Sequence, residues 1–224
     1  MTTTPERRRR KLIPEMEGRQ ARWYARLRGT DSQLAEYRRQ AAVLTEALPE
    51  HVDVLEVAPG PGYLSLELAR RGHRVTGLDI SHTFVELATD RARGQGLDVR
   101  FQQGDASAMP LPDASFDLIV CQAAFKNFAL PVRALDEMHR VLRPGGSAVI
   151  EDMWGEATAA DIRAEVERMN LSRFDGFMTR RTLTWLRRRA YTREKFAQLA
   201  AASAFGQARI TTEGIGITVR LTRS

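Results

Sequence analysis

Val54-Leu55-Glu56-Val57-Ala58-Pro59-Gly60-Pro61-Gly62 reads as a buried strand running into a loop rich in proline and glycine. The run from Val52 to Ala58 is apolar apart from Asp53 and Glu56 and lacks the alternation of a half-exposed strand, as expected for a strand covered on both faces of a parallel sheet. A helical stretch from about Tyr63 to Arg71 follows. Strand, glycine loop and helix form a ligand-binding unit: glycine lets the backbone pass close to a ligand, and a strand-end acid such as Glu56 binds a cationic amine or a hydroxyl. The segment does not choose its ligand, because Gly60-x-Gly62-x-x-Ser65 also approaches the dinucleotide fingerprint.

The alternation continues downstream. A strand from His73 to Asp79 precedes a helix from Thr83 to Gln95, then strands from Asp98 to Gln103 and from Phe116 to Gln122. This βαβ succession predicts an α/β fold with a doubly wound, mostly parallel sheet. The helix from Val132 to Leu142 is expected to stop at Arg143-Pro-Gly-Gly146, with glycine as its positive-φ cap, before a fifth strand from Ser147 to Asp152. Beyond Trp154, residues 157–189 read as a helical insertion. After a helix from Thr192 to Ala204, the runs Ala208 to Glu213 and Ile215 to Leu221 meet at Gly214 as an antiparallel hairpin. Upstream, Met16 to Leu48 is helical and breaks at Gly29-Thr30-Asp31. Residues 1–48 are therefore assigned to an N-terminal helical cap, and 49–224 to one domain carrying the insertion as a lid.

With 224 residues, the chain accommodates one such domain and not two of full size. No apolar run approaches the roughly 20 residues of a spanning helix, and no apolar block follows the basic start, so a cytoplasmic protein is expected. Cys121 is the sole cysteine and lies in an apolar run, where a buried, inert thiol is expected. The net charge of +6 is concentrated in Arg7 to Lys11 and in the arginines between 180 and 189, which raises nucleic acid or a membrane as partners. Solvated helix faces explain the same clusters. His51, His73, His82 and His139 show no metal-ligand spacing, so no metal is expected.

The ligand is chosen by an ordered set of later motifs. Asp79 closes the second strand. Gly104-Asp-Ala106 follows the third, Met109-Pro-Leu-Pro-Asp-Ala-Ser-Phe-Asp-Leu-Ile-Val120 leads into the fourth, and Arg140-Val-Leu-Arg-Pro-Gly-Gly146 precedes the fifth. From Val52 onward the chain resembles the Rossmann-like class I S-adenosylmethionine-dependent methyltransferases, in particular the ubiquinone/menaquinone C-methyltransferase branch. The resemblance implies that Glu56, Ala58, Gly60 and Gly62 hold the methionine part of S-adenosylmethionine and that Asp79 holds its ribose. It further implies Ile80 beside the adenine, Asp105 and Ala106 at the adenine edge, and Gln122 closing over the methionine. Ala58 stands where the family usually has glycine, which predicts a shifted loop with binding retained. Asp113 and Asp117 read as turn-capping residues.

A sulfonium methyl group is already activated, so the protein needs chiefly to align the acceptor and exclude water. Lys126 and Asn127 beyond strand four, and Asp152 at the end of strand five, are the catalytic candidates, with Tyr24 on the helix that in relatives folds over the cofactor. The acceptor is expected to be a small molecule, aromatic or lipophilic. Trp23 and Tyr24 on one side, and Met169, Phe174, Phe177, Met178 and Trp185 on the other, are expected to wall its pocket. The alternative is an RNA methyltransferase or RNA-associated protein, although strand four lacks the Asn/Asp-Pro-Pro-aromatic segment of many base-amino methyltransferases. A cofactor-binding protein without catalysis is a third reading. Tyr191-x-x-x-Lys195 has short-chain dehydrogenase spacing, but Thr192 reads as a helix N-cap and no serine precedes the tyrosine at the required distance.

Overall fold

The computed structural model describes residues 15–224; the basic cluster from Arg7 to Lys11 lies outside the described residues. Seven strands, β1 (Asp53–Val57), β2 (Arg74–Asp79), β3 (Val99–Gln103), β4 (Phe116–Gln122), β5 (Leu142–Met153), β6 (Arg209–Glu213) and β7 (Gly216–Thr222), form one sheet. Its order is β3-β2-β1-β4-β5-β7-β6. The first five strands are parallel, and β7 runs antiparallel to both β5 and β6. The doubly wound sheet and the C-terminal hairpin are as the sequence predicts.

The physical reason is visible in β1. Leu55 and Val57 enter one core with Ile119, Cys121 and Ile150, while Val54 enters a second core with Leu64, Leu68, Val120 and Val149. From Val54 to Val57 both faces of the strand are buried, so these residues are apolar, with Glu56 the exception among them. Burial pushes the Cys121 thiol well up, in keeping with an inert role.

Helices cover both faces. α1 (Gly18–Arg28) packs against α4 (His82–Gly94), and α2 (Asp31–Thr45) against α3 (Tyr63–Arg70). Ala21 and Ala25, one turn apart, are the buried residues of α1, and the Tyr63 hydroxyl donates to the Ala25 carbonyl at 2.8 Å. α5 (Pro131–Val141) packs against α8 (Arg193–Ala202). The insertion forms α6 (Ala159–Arg168) and α7 (Arg173–Arg187), which pack on each other. Thr192 caps α8 by accepting the Lys195 N–H, as the N-cap reading requires, and Tyr191 is buried.

Two local expectations are corrected. Glycine does not cap α5: Leu142 is already extended at φ −68, ψ 145, and pairs with Phe116, so the helix passes directly into β5. The glycines instead shape an irregularity in that strand, where Gly145 has φ +81 and a Cβ on Gly146 would meet the Asp117 carbonyl at 3.0 Å. Asp117 caps no turn. It lies in β4, accepts the Asp53 N–H at 2.8 Å and pairs with Arg143 at 2.7 Å.

Candidate active site

Strand order reverses between β1 and β4, and at that switch point the two chain crossovers diverge and leave a crevice above the strand ends. A cavity occupies this position. Glu56, Ala58, Gly60, Asp79, Ile80, Asp105, Ala106, Gln122, Asn127 and Tyr24 all line it. Three residues of the sequence assignment do not: Gly62, Lys126 and Asp152.

Glu56 is 4% exposed, on the face of β1 that meets α3, and Ser65 of that helix donates its hydroxyl to the Glu56 carboxylate. Burial pushes its pKa up to about 7. A buried acid with one hydroxyl partner is therefore poised to take a cation. Asp79, 5% exposed, accepts the Gly60 N–H at 2.8 Å and the Ser81 N–H at 2.9 Å, so one carboxylate ties the glycine loop to the start of α4. Burial raises its pKa as well. Asp105 lines the cavity and also caps its own turn, accepting from the Ser107 N–H and hydroxyl at 2.9 and 2.8 Å.

The glycines divide their work. A Cβ on Gly60, at φ +54, would meet nothing within 4 Å, so this position keeps open space above the loop. At Gly62 (φ +78) a Cβ would lie 2.8 Å from the Ala88 Cβ and 2.9 Å from the Phe101 ring. Gly62 thus lets the start of α3 pack against α4 and β3, and it does not line the cavity. Ala58 holds φ +59, a backbone region that glycine occupies without strain.

Lys126 and Asp152 are a buried ion pair, Nζ to Oδ1 at 2.6 Å with side chains 7% and 1% exposed. The same ammonium donates to the Ala123 carbonyl at 2.6 Å, and Asp152 also accepts the Lys126 backbone N–H at 3.0 Å. Ala123 lines the cavity at φ +54. The pair secures the loop after β4 from behind. Gln122 donates to Glu151 at 2.6 Å, and Asn127 accepts from Arg189 at 3.3 Å.

Several cavity residues were not identified from the sequence. Glu15 and Met16 line it from the segment before α1, Arg28 from α1, Tyr37 from α2 and Phe84 from α4. The Tyr37 hydroxyl accepts from Arg28 Nε at 3.0 Å. Only tertiary packing brings these positions to β1, although the tyrosines on the N-terminal helices were the available signal. The expected acceptor walls are corrected: no residue of α6 or α7 lines the cavity, and Trp23, Phe174, Phe177, Met178 and Trp185 are exposed. The cavity's apolar end is built instead from Phe128, Ala129, Leu130 and Ala134, around the start of α5.

A family model described as a methyltransferase domain matches residues 55–150, which span every strand-end residue of the crevice. Residues 55–150 are thus similar to a methyltransferase domain. A demethylmenaquinone methyltransferase from Deinococcus radiodurans is 43% identical to this chain over 99 residues, covering 43% of the chain and 41% of the relative. One from Thermus thermophilus is 40% identical over 117 residues, covering 51% and 52%. The chain thus matches about half the length of these curated relatives. A putative S-adenosylmethionine-dependent methyltransferase of solved structure from Methanococcus maripaludis superimposes with a TM-score of 0.69 at 20% identity, over 95% of this chain and 97% of that one. This likeness extends the shared fold beyond the methyltransferase core to both ends of the sheet.

S-adenosylmethionine is the cofactor that the family and fold imply. The methyltransferase core fits it on chemical grounds: a buried carboxylate for a cation, a second carboxylate at the end of β2 for hydroxyls, and Ile80, a 36%-exposed aliphatic side chain, as an apolar platform. No described helix is long and apolar enough to cross a membrane.

Proposed function

We propose that the protein transfers the methyl group of S-adenosylmethionine to a small quinone-type acceptor. The cofactor supplies an electrophilic methyl group on sulfur. Glu56 pairs with its ammonium, Arg28 with its carboxylate, and Asp79 with its ribose hydroxyls. Ile80 and Ala106 flank the adenine, with Asp105 at its edge, and Ala58, Gly60 and Gln122 shape the methionine channel.

One observation carries the acceptor class: the cavity beyond Asn127 offers Phe128, Ala129, Leu130 and Ala134, with no carboxylate or histidine among them. Among the described residues this wall carries no general base, which favours an acceptor that brings its own acidity. A hydroquinone meets this requirement, because ionising its hydroxyl makes a ring carbon nucleophilic. The apolar wall excludes water and orients the ring, and Asn127 aligns a ring oxygen through its amide. The printed names of the relatives, which concern demethylmenaquinone, support the same class. Lys126 and Asp152 act as positioning residues for the loop that carries Ala123.

The test is methyl transfer from labelled cofactor to a reduced short-chain demethylmenaquinone, with structured RNA assayed in parallel. Label in the quinone is expected. Label in RNA alone, or tight cofactor binding without transfer to either, would overturn the reading.

A further inference from the structure

Six of the ten exposed large hydrophobic side chains among the described residues fall between Met169 and Trp185. α7 has no buried residue at all. At 100° per residue, Phe174, Phe177, Met178 and Trp185 share one helix face. An isolated exposed apolar residue needs no explanation, whereas a contiguous stripe marks an interaction surface.

The charge around this stripe is one-sided. Residues 172–189 carry six arginines and a single acid, Asp175, which accepts the Ser172 hydroxyl at 2.6 Å. Among the described residues no carboxylate pairs with these arginines. The Arg180 and Arg181 guanidinium groups sit 5.9 and 5.8 Å from the Phe177 ring, and that of Arg189 sits 5.3 Å from the Trp185 ring. Long arginine stems can lie along an apolar layer while their heads reach a charged one.

We infer that the exposed face of α7 docks on an anionic lipid bilayer, with Phe174, Phe177, Met178 and Trp185 entering the acyl boundary and Arg180 and Arg181 meeting lipid phosphates. Arg187 donates to the Ala157 carbonyl at 2.9 Å and Arg189 to Asn127 at 3.3 Å, which leaves Arg173, Arg180, Arg181 and Arg188 for an outside partner, and a surface bearing many phosphates matches these better than a protein partner of mixed charge. The inference goes beyond the proposed reaction and stands independently of it. It also places a lipophilic acceptor within reach of the domain.

Vesicle flotation without any acceptor tests it. The wild-type protein is expected to float with phosphatidylglycerol-containing vesicles and not with phosphatidylcholine alone, and moderate salt is expected to weaken the association. Joint replacement by Phe174→Ser, Phe177→Ser and Trp185→Ser is expected to lower vesicle affinity by about tenfold or more, and Arg180→Gln with Arg181→Gln by about tenfold. Both variants should keep the wild-type affinity for S-adenosylhomocysteine, since no α7 residue lines the cavity. Hydrogen exchange on the wild-type protein supplies a measurement free of mutation, with α7 amides gaining protection when anionic vesicles are added. Equal flotation with neutral vesicles, retained binding by the serine variant, or no binding at all would overturn the inference. So would a solution dimer that the serine substitutions dissociate, because the face would then be covered by a second copy.

Discussion

The carboxylate of Glu17, just before α1, accepts the backbone N–H groups of His82 and Thr83 at 2.9 and 3.0 Å, capping a helix 65 residues away in the sequence. The Thr83 hydroxyl in turn accepts the Gly18 N–H at 2.9 Å, and Ser81 donates to the Met16 carbonyl at 2.7 Å. The segment bearing Glu15 and Met16 is thereby pinned beside Asp79, where it forms part of the cavity wall. Glu17→Ala is expected to lower stability by about 1 kcal/mol, the usual effect of losing a helix cap, and to weaken S-adenosylhomocysteine binding severalfold. Thermal melting and calorimetry check it; unchanged binding in a destabilised variant would show that the pinned segment takes no part in the site. The hydrogen bond from Thr83 holds the Glu17 pKa down, so this stabilisation is present above the ordinary carboxylate value and is lost as pH falls through the folded one.

Glu56 has the opposite sign. Its folded pKa of about 7 exceeds the ordinary value of 4.5, so the free protein loses stability as pH rises between the two. Glu56→Gln removes a penalty of at most about 3 kcal/mol, and the variant should melt above the wild type near pH 8, with the gap closing toward pH 5. Cofactor affinity should move the other way. The wild type binds more tightly as pH rises through about 7, while the variant binds weakly at every pH. Calorimetry across this range that finds equal affinity for the two proteins would remove Glu56 from the site.

Asp79→Ala is expected to weaken S-adenosylhomocysteine binding by about 1.5 to 3 kcal/mol, through loss of charge-assisted bonds to ribose. The structure adds a second consequence. The variant leaves the Gly60 and Ser81 N–H groups without their carboxylate, so the loop and the start of α4 should exchange amide hydrogens faster. Unaltered affinity in a folded variant would show that Asp79 only holds the loop.

The two loop glycines should separate binding from stability. Gly62→Ala drives a methyl group into Ala88 and Phe101 and is expected to cost about 1 to 3 kcal/mol of stability. Gly60→Ala meets open space, so its cost is limited to its positive φ, about 1 kcal/mol, while the added methyl obstructs the ligand. Denaturant melts and binding isotherms on both variants decide the matter. Equal stability loss would mean that the two glycines do the same work.

Lys126→Ala should destabilise the fold by about 3 to 5 kcal/mol, because Asp152 is left as an uncompensated buried charge. Adding Asp152→Asn should recover much of that loss. Recovery in a double-mutant cycle identifies the pair as architecture, whereas full stability in the single variant would refute it.

The sequence by itself determined the order of strands and helices, the parallel sheet and the carboxylate positions at the ends of β1 and β2. Those features are local: a short, mostly apolar run without alternation, bounded by a glycine-proline loop, reads as a strand buried on both faces, and the glycine marks a close approach of backbone. It also placed Gly62 in the binding loop, yet what that glycine permits is contact with Ala88 and Phe101, which come from other elements. The same limit applies to Lys126 and Asp152, whose residue types suit catalysis but which pair with each other across 26 residues, away from the cavity. Arg28 and Tyr37 reach the site, and Glu17 pins its wall, only because α1 and α2 fold back on α4 and α3, and the apolar residues of α7 stay exposed because its packing against α6 buries none of them. Burial, partner and direction depend on which elements meet, and that is decided by tertiary packing.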